Sequence, residues 1–124
     1  MDGGLYLLLL RLDEPEEITV GRLGRFEFPS GYYIYVGRAK RGLYSRAARH
    51  RRGSKRPRWH IDYLRERADW VGVEVRFGQD GECELARKVA ELPGAEELVP
   101  GFGSSDCGCR THLFYFRKLP WEEM

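Results

Sequence analysis

No apolar run in this chain approaches the roughly 20 residues that a bilayer-spanning helix needs. The tetrad Leu7 to Leu10 is too short for a secretory apolar core, and no cleavage-site pattern follows it. No membrane association is expected, and the chain reads as soluble and cytoplasmic. Lysine is scarce, 4 residues against 17 arginines, a bias shared by thermophiles and GC-rich genomes. Cysteine is scarcer, with 3 residues, too few for the framework of a disulfide-rich secreted domain. Acidic residues are missing from an entire segment: none lies between Glu27 and Asp62. There is no internal repeat. The 124 residues, 42% hydrophobic and 32% charged, suit one domain with a buried core and leave no room for a separate recognition domain.

The net charge of +2 carries little information, but its distribution does. Arg38 to Arg58 holds eight arginines (38, 41, 46, 49, 51, 52, 56, 58) plus Lys40 and Lys55, ten of the 21 basic residues. Such segregation makes a local positive field that suits a polyanion such as nucleic acid. Arginine in particular binds phosphate through two parallel hydrogen bonds. The bland alternative is a solvated basic face.

The hydrophobic pattern divides the chain into short elements. Gly4 to Leu12 reads as a strand, and the turn Asp13-Glu14-Pro15 ends it. Ile18 to Leu23 and Arg25 to Phe28 read as short strands broken by Gly24. Tyr32 to Val36 is a dense aromatic and β-branched strand. Gly37 to Gly42 reads as a basic loop and Leu43 to Arg52 as a helix, with Leu43, Ala47, Tyr44 and Ala48 as candidates for its inward face. Arg46 and His50, four apart, share a face of that helix. His60 to Arg67 reads as a short helix, Trp70 to Phe77 as an alternating strand, Glu82 to Leu92 as a helix stopped by Pro93-Gly94, and Leu113 to Leu119 as a last strand. The order β-β-β-α-(α)-β-α-β predicts a small mixed α/β (α+β) domain, a mainly antiparallel sheet flanked by helices.

Phosphodiester hydrolysis requires an activated water, a cation on the scissile phosphate and neutralisation of developing charge. Tyr6 and Tyr35 on two strands, Arg46 and His50 on one helix, and Glu82 at a helix start form a set able to meet those needs. Each also has an ordinary reading: strand aromatics, surface helix residues, or a carboxylate favoured by the helix dipole. Gly37 is the kind of residue a positive-φ turn uses.

The ordered set resembles the GIY-YIG nucleases. Gly4-Leu5-Tyr6 is similar to the first signature tripeptide and Tyr35-Val36-Gly37 to the second. Arg46-x-x-x-His50, then His60, then Glu82 within Glu-Cys-Glu-Leu-Ala, follow in the family's order. Trp59-His60-Ile61-Asp62-Tyr63-Leu64 and Gly101-Phe102-Gly103-Ser104-Ser105-Asp106-Cys107-Gly108-Cys109-Arg110-Thr111-His112-Leu113 resemble hallmarks of the compact Uri-type branch. Residues 7 to 34 separate the two tripeptides, more than in shorter members, and an inserted hairpin around Ile18 to Phe28 accounts for the difference. The resemblance implies a metal-dependent endonuclease acting on DNA more than RNA, with a partner protein or a dimer supplying any strong sequence specificity. It implies one Mg²⁺ (or Mn²⁺) on Glu82, with Glu84 the competing ligand. Arg46 would clamp the phosphate, Tyr6 would act as base or orient the water with Tyr35 in support, and His50 or His60 would assist. Arg38, Lys40, Arg41, Arg49, Arg51, Arg52 and Lys55 would bind the nucleic-acid backbone. Trp59 either stacks a base or packs.

Cys83, Cys107, Cys109 and His112 allow a Cys₃His zinc site, though the spacing is not that of a standard finger. The alternatives are a close-packed loop of small residues beside the site or a disulfide from Cys83 to a loop cysteine. Asp106 and the Ser104-Ser105 pair are placed near the metal or substrate.

Overall fold

The computed structural model describes residues 2–53, 56–104 and 107–120. Its centre is a pair of nine-residue strands, β1 (Gly4–Leu12) and β4 (Gly31–Ala39), paired antiparallel from Gly4↔Ala39 to Leu12↔Gly31. Between them in sequence, β2 (Glu16–Val20) and β3 (Gly24–Phe28) form a separate two-stranded hairpin. Helices α1 (Leu43–Arg52) and α2 (His60–Arg67) follow, then β5 (Asp69–Phe77), α3 (Glu82–Ala90) and β6 (Leu113–Phe116). The main sheet has the order β5-β1-β4-β6, and each of its pairings is antiparallel. The expected mixed architecture with a mainly antiparallel sheet and flanking helices is the one observed.

The unbroken Leu7–Leu10 run has a direct cause: both faces of β1 are covered. Successive strand side chains point to opposite faces. Tyr6, Leu8, Leu10 and Leu12 pack with Leu43 of α1, Ile61 and Leu64 of α2, and Ile18, Val20 and Phe28 of the hairpin. Leu5, Leu7 and Leu9 pack on the other side with Leu85, Ala86 and Val89 of α3. The sheet is thus the middle of three layers. Arg65 of α2 ties the two helices together by donating to the carbonyls of His50 and Arg51 in the last turn of α1 at 2.8 and 2.6 Å.

Several boundaries differ from the sequence expectation. The four strand segments read before the first helix are all present, one more than the order β-β-β-α-(α)-β-α-β counts, but the second ends at Val20 and not Leu23, where the chain turns and Leu23 N–H donates to Val20 O at 2.9 Å. β4 continues through Gly37 to Ala39, where a loop was expected, because the Gly4–Tyr6 end of β1 supplies partners. β6 stops at Phe116, since its last partner on β4 is Tyr32. α3 ends at Ala90 rather than Leu92. Tyr44 and Ala48 are exposed and do not join the inward face of α1, which is Leu43, Ala47 and His50. Among the described residues no helix is long and apolar enough to cross a membrane.

Candidate active site and a neighbouring thiol cluster

A cleft of about 550 Å³ opens at the end of the sheet where β1 begins and β4 ends. Tyr6 and Tyr35 reach it from the two central strands, Arg38 from β4, Lys40 and Arg41 from the segment after it, and Arg46 from α1. Trp59, at the start of α2, Glu82, the first residue of α3, and Gly103 and Cys107 of the loop before β6 line it as well. Although α3 covers the opposite face of the sheet, its first turn reaches round the sheet end. Glu84, two residues on, is exposed and lines a different hollow with Arg76 and Lys88.

Gly37 explains how Tyr6 fits. Tyr6 and Gly37 are directly paired across β1 and β4, and a Cβ at residue 37 would sit inside the Tyr6 ring. Its φ is not positive, so glycine stands there for close approach of the ring and not for a turn. On Tyr35, the ring lies against Gly103, which does require a left-handed φ of 69°.

Behind Tyr6 stands a buried polar chain. The Tyr6 hydroxyl is 3.1 Å from His50 Nε2, and His50 Nδ1 is 3.8 Å from Asp62 Oδ1. Arg49 donates to both carboxylate oxygens of Asp62 at 3.1 Å each, and the backbone N–H groups of Arg58 and Trp59 donate to Oδ2 at 2.8 and 3.0 Å. Burial alone would raise the Asp62 carboxyl, but these donors hold it below its usual range. Burial pushes Tyr6 up to about 12 against the pull of Arg46, and raises Tyr35 as well. Burial lowers His50 to about 4, so the ring is neutral at pH 7, and Nε2 accepts from the Tyr6 hydroxyl in the tautomer that carries its proton on Nδ1, a buried atom with no hydrogen-bond partner among the described residues.

This arrangement carries a pH dependence. His50 is depressed from 6.5, so the unfolded chain takes up its proton first as the pH falls. The stability it contributes is complete above about pH 6.5 and is lost progressively down to about pH 4, a loss of about 3 kcal/mol. His60, also lowered by burial, acts in the same direction. Urea unfolding at pH 7 and at pH 4.5 should register the loss, and His50→Gln should flatten the difference. A variant with the wild-type pH slope would remove His50 as its source.

The basic segment divides into two populations. Arg38, Lys40, Arg41 and Arg46 line the cleft. Arg46 also donates to Arg38 O at 2.7 Å and lies 4.8 Å from the Trp59 ring centre. Arg49 was expected to bind backbone phosphate, but its guanidinium is committed to Asp62 and stacks 4.5 Å from Trp59. Arg51 and Arg52 are exposed but do not line the cleft. Lys55, Ser105 and Asp106 lie outside the described residues; Ser104 is buried. Trp59 lines the cleft, half-buried, with Arg46, Arg49 and Arg58 in cation–π range of its ring. His60 is not part of the cleft lining: its Nδ1 accepts from Gly103 N–H at 2.8 Å and anchors the glycine loop beside Tyr35. Asp62, within Trp59-His60-Ile61-Asp62-Tyr63-Leu64, was not among the residues expected at the site. Its signal was available: it is the first carboxylate after the acid-free segment and the third residue of a helix, where it can cap the start.

Next to the cleft, Cys83, Cys107, Cys109 and His112 each offer a donor atom, all within 4.8 Å of one another, a set able to hold a metal ion. All three cysteines are free, so no disulfide joins Cys83 to the loop. His112 Nε2 is 3.4 Å from Cys107 Sγ and 3.9 Å from Cys83 Sγ. Its Nδ1 is 3.6 Å from Glu82 Oε2 and has no hydrogen-bond partner among the described residues. Burial first, then the neighbouring thiols, push Cys109 up to about 12.

No curated protein and no solved structure matches the chain. A family model does match, over residues 5–123, and by that match the chain belongs to the family described as domain of unknown function DUF123.

Proposed function

We propose that this chain is a divalent-cation-dependent endonuclease that hydrolyses phosphodiester bonds in nucleic acid, DNA in preference to RNA. The observation that carries the reading is the meeting of Tyr6, Tyr35, Arg46 and Glu82 in one cleft that Arg38, Lys40 and Arg41 also line. The resemblance of Gly4-Leu5-Tyr6 and Tyr35-Val36-Gly37 to the paired tripeptides of the GIY-YIG nucleases, compact Uri-type branch, supports it.

Glu82 suits a cation because, among the described residues, no arginine or lysine pairs with its carboxylate, although four basic side chains line the same cleft. A single carboxylate completed by waters and phosphate oxygens is an ordinary Mg²⁺ or Mn²⁺ site. Bound there, the cation would polarise the phosphate and lower the pKa of a coordinated water. Arg46 binds the phosphate oxygens and offsets the charge that develops on them. Tyr6 donates its proton to neutral His50, which turns the lone pairs of the phenol oxygen to the cleft to orient a water. With its proton held near pKa 12, Tyr6 orients the nucleophile and becomes a base only when added positive charge lowers it. His50 and Asp62 act through Tyr6 and do not touch the substrate. The thiol cluster is a separate metal position, and its soft donors suit Zn²⁺ rather than Mg²⁺.

The test is a screen of single-stranded, duplex and branched DNA and RNA, each with Mg²⁺, with Mn²⁺ and with EDTA. Cation-dependent cleavage is the expected result. Binding without cleavage on every substrate would instead identify a non-catalytic nucleic-acid-binding module. A second expectation concerns the backbone contacts. Replacing Lys40 and Arg41 together by Ala should reduce the slope of log K against log salt by roughly 2, about one per lost phosphate contact. An unchanged slope would put the phosphate contacts elsewhere.

A further inference from the structure

We infer that Cys83, Cys107, Cys109 and His112 form a four-ligand zinc centre that holds the first turn of α3 to the glycine loop and, through His112, orients Glu82. Three observations carry this. The first is distance. A tetrahedral zinc with Zn–S of about 2.3 Å and Zn–N of about 2.0–2.1 Å sets sulfur and nitrogen about 3.5 Å apart and two sulfurs about 3.8 Å apart. The His112 Nε2 distances to Cys107 and Cys83, 3.4 and 3.9 Å, straddle the first value, and all four donors fall within 4.8 Å.

The second is the imidazole. His112 is 1% exposed, and its Nδ1 is a buried polar atom with no hydrogen-bond partner among the described residues. A metal on Nε2 requires the ring proton to sit on Nδ1. The nearest carboxylate to that nitrogen is Glu82, 3.6 Å away. A histidine ligand whose other nitrogen faces a carboxylate is the usual outer arrangement of zinc sites, where the carboxylate sets the ring's tautomer and orientation.

The third is topology. Cys83 lies on α3, Cys107 and Cys109 on the loop after it, and His112 immediately before β6. With four protein ligands the site has no open position, which marks a structural zinc and not a catalytic one. Cys83 is also the residue after Glu82, so the centre fixes the backbone that presents the cleft's only lining carboxylate among the described residues.

The zinc assignment stands whether or not the cleft cuts nucleic acid; only the consequence for a cation on Glu82 rests on the proposed endonuclease activity. The experiment therefore reads metal and not cleavage. Protein purified from zinc-supplemented culture and gel-filtered should carry about one zinc per chain by mass spectrometry. After chelation under reducing conditions, Co²⁺ should restore one equivalent with the intense charge-transfer and visible bands of a thiolate-bound tetrahedral ion. Less than a tenth of an equivalent of zinc, with no cobalt spectrum, would overturn the centre. Cys109→Ser should weaken zinc binding; if it does not fold, the wild-type chelation curve decides, since a metal-free chain with an unchanged Tm excludes a structural ion. For the link to Glu82, Glu82→Ala should raise the zinc Kd on the order of 10-fold, while Glu84→Ala leaves it unchanged. Equal zinc Kd values for wild type and Glu82→Ala would sink that half of the inference.

Discussion

Arg46→Ala and Glu82→Ala should each lower cleavage by at least 10²–10³-fold on any substrate the wild type cuts, with the fold intact. Loss of one preorganised group facing transition-state charge commonly has about this effect. Arg46 is half-buried and touches the Arg38 carbonyl, the Trp59 ring and the Tyr6 hydroxyl, contacts near the cleft mouth, so its removal should change stability by about 1 kcal/mol and leave the fold intact. Circular dichroism and Tm check the fold; single-turnover rates check the chemistry. The Glu82 variant is to be assayed at saturating zinc, so that a loosened thiol centre is not mistaken for a lost cation ligand. Activity within threefold of wild type in either variant would remove that residue from the mechanism.

The second large effect is on stability. Asp62 is 3% exposed and, among the described residues, accepts four hydrogen bonds, two from Arg49 and one each from the backbone of Arg58 and Trp59. Asp62→Ala leaves the half-buried Arg49 guanidinium without its counter-charge and strands the two N–H groups that start α2. Removing one partner of a buried pair costs about 3–5 kcal/mol, which for a chain of this size lowers Tm by roughly 10–20 °C. Asp62 also faces His50, so the Tyr6 hydroxyl loses its fixed acceptor geometry and cleavage should fall with stability. A doubly apolar variant, Arg49→Leu with Asp62→Leu, should recover part of the stability because no charge is left unpaired. If Asp62→Ala shifts unfolding by less than about 0.5 kcal/mol, Arg49 is free for a ligand after all.

These two cases differ in how far the sequence could lead. Tyr6, Arg46 and Glu82 stood out as chemistry-bearing types in a recognisable order, and all three line one cleft. Arg49 and Arg51 looked equivalent in an arginine-rich helix, yet one neutralises a buried carboxylate and the other is exposed. Nothing in a local window separates them, because the carboxylate that decides the matter is thirteen residues away on another helix. His60 resembled a site residue for the same reason, and its ring nitrogen is instead occupied by a loop amide forty-three residues on.

By itself the sequence determined the type and order of most elements, since 3.6- and 2-residue periods and turn residues act locally. It also determined the segregation of positive charge. Only the tertiary structure decided that Gly37 serves the Tyr6 ring, that Asp62 and His50 stand behind that tyrosine, and that three scattered cysteines and a histidine converge within 4.8 Å. The physical reason is common to all three: each depends on side chains brought together by strand register and helix docking; for the thiols, Cys107-x-Cys109-x-x-His112 allowed the set to be named, but only the docking of α3 against that loop brings Cys83 to it.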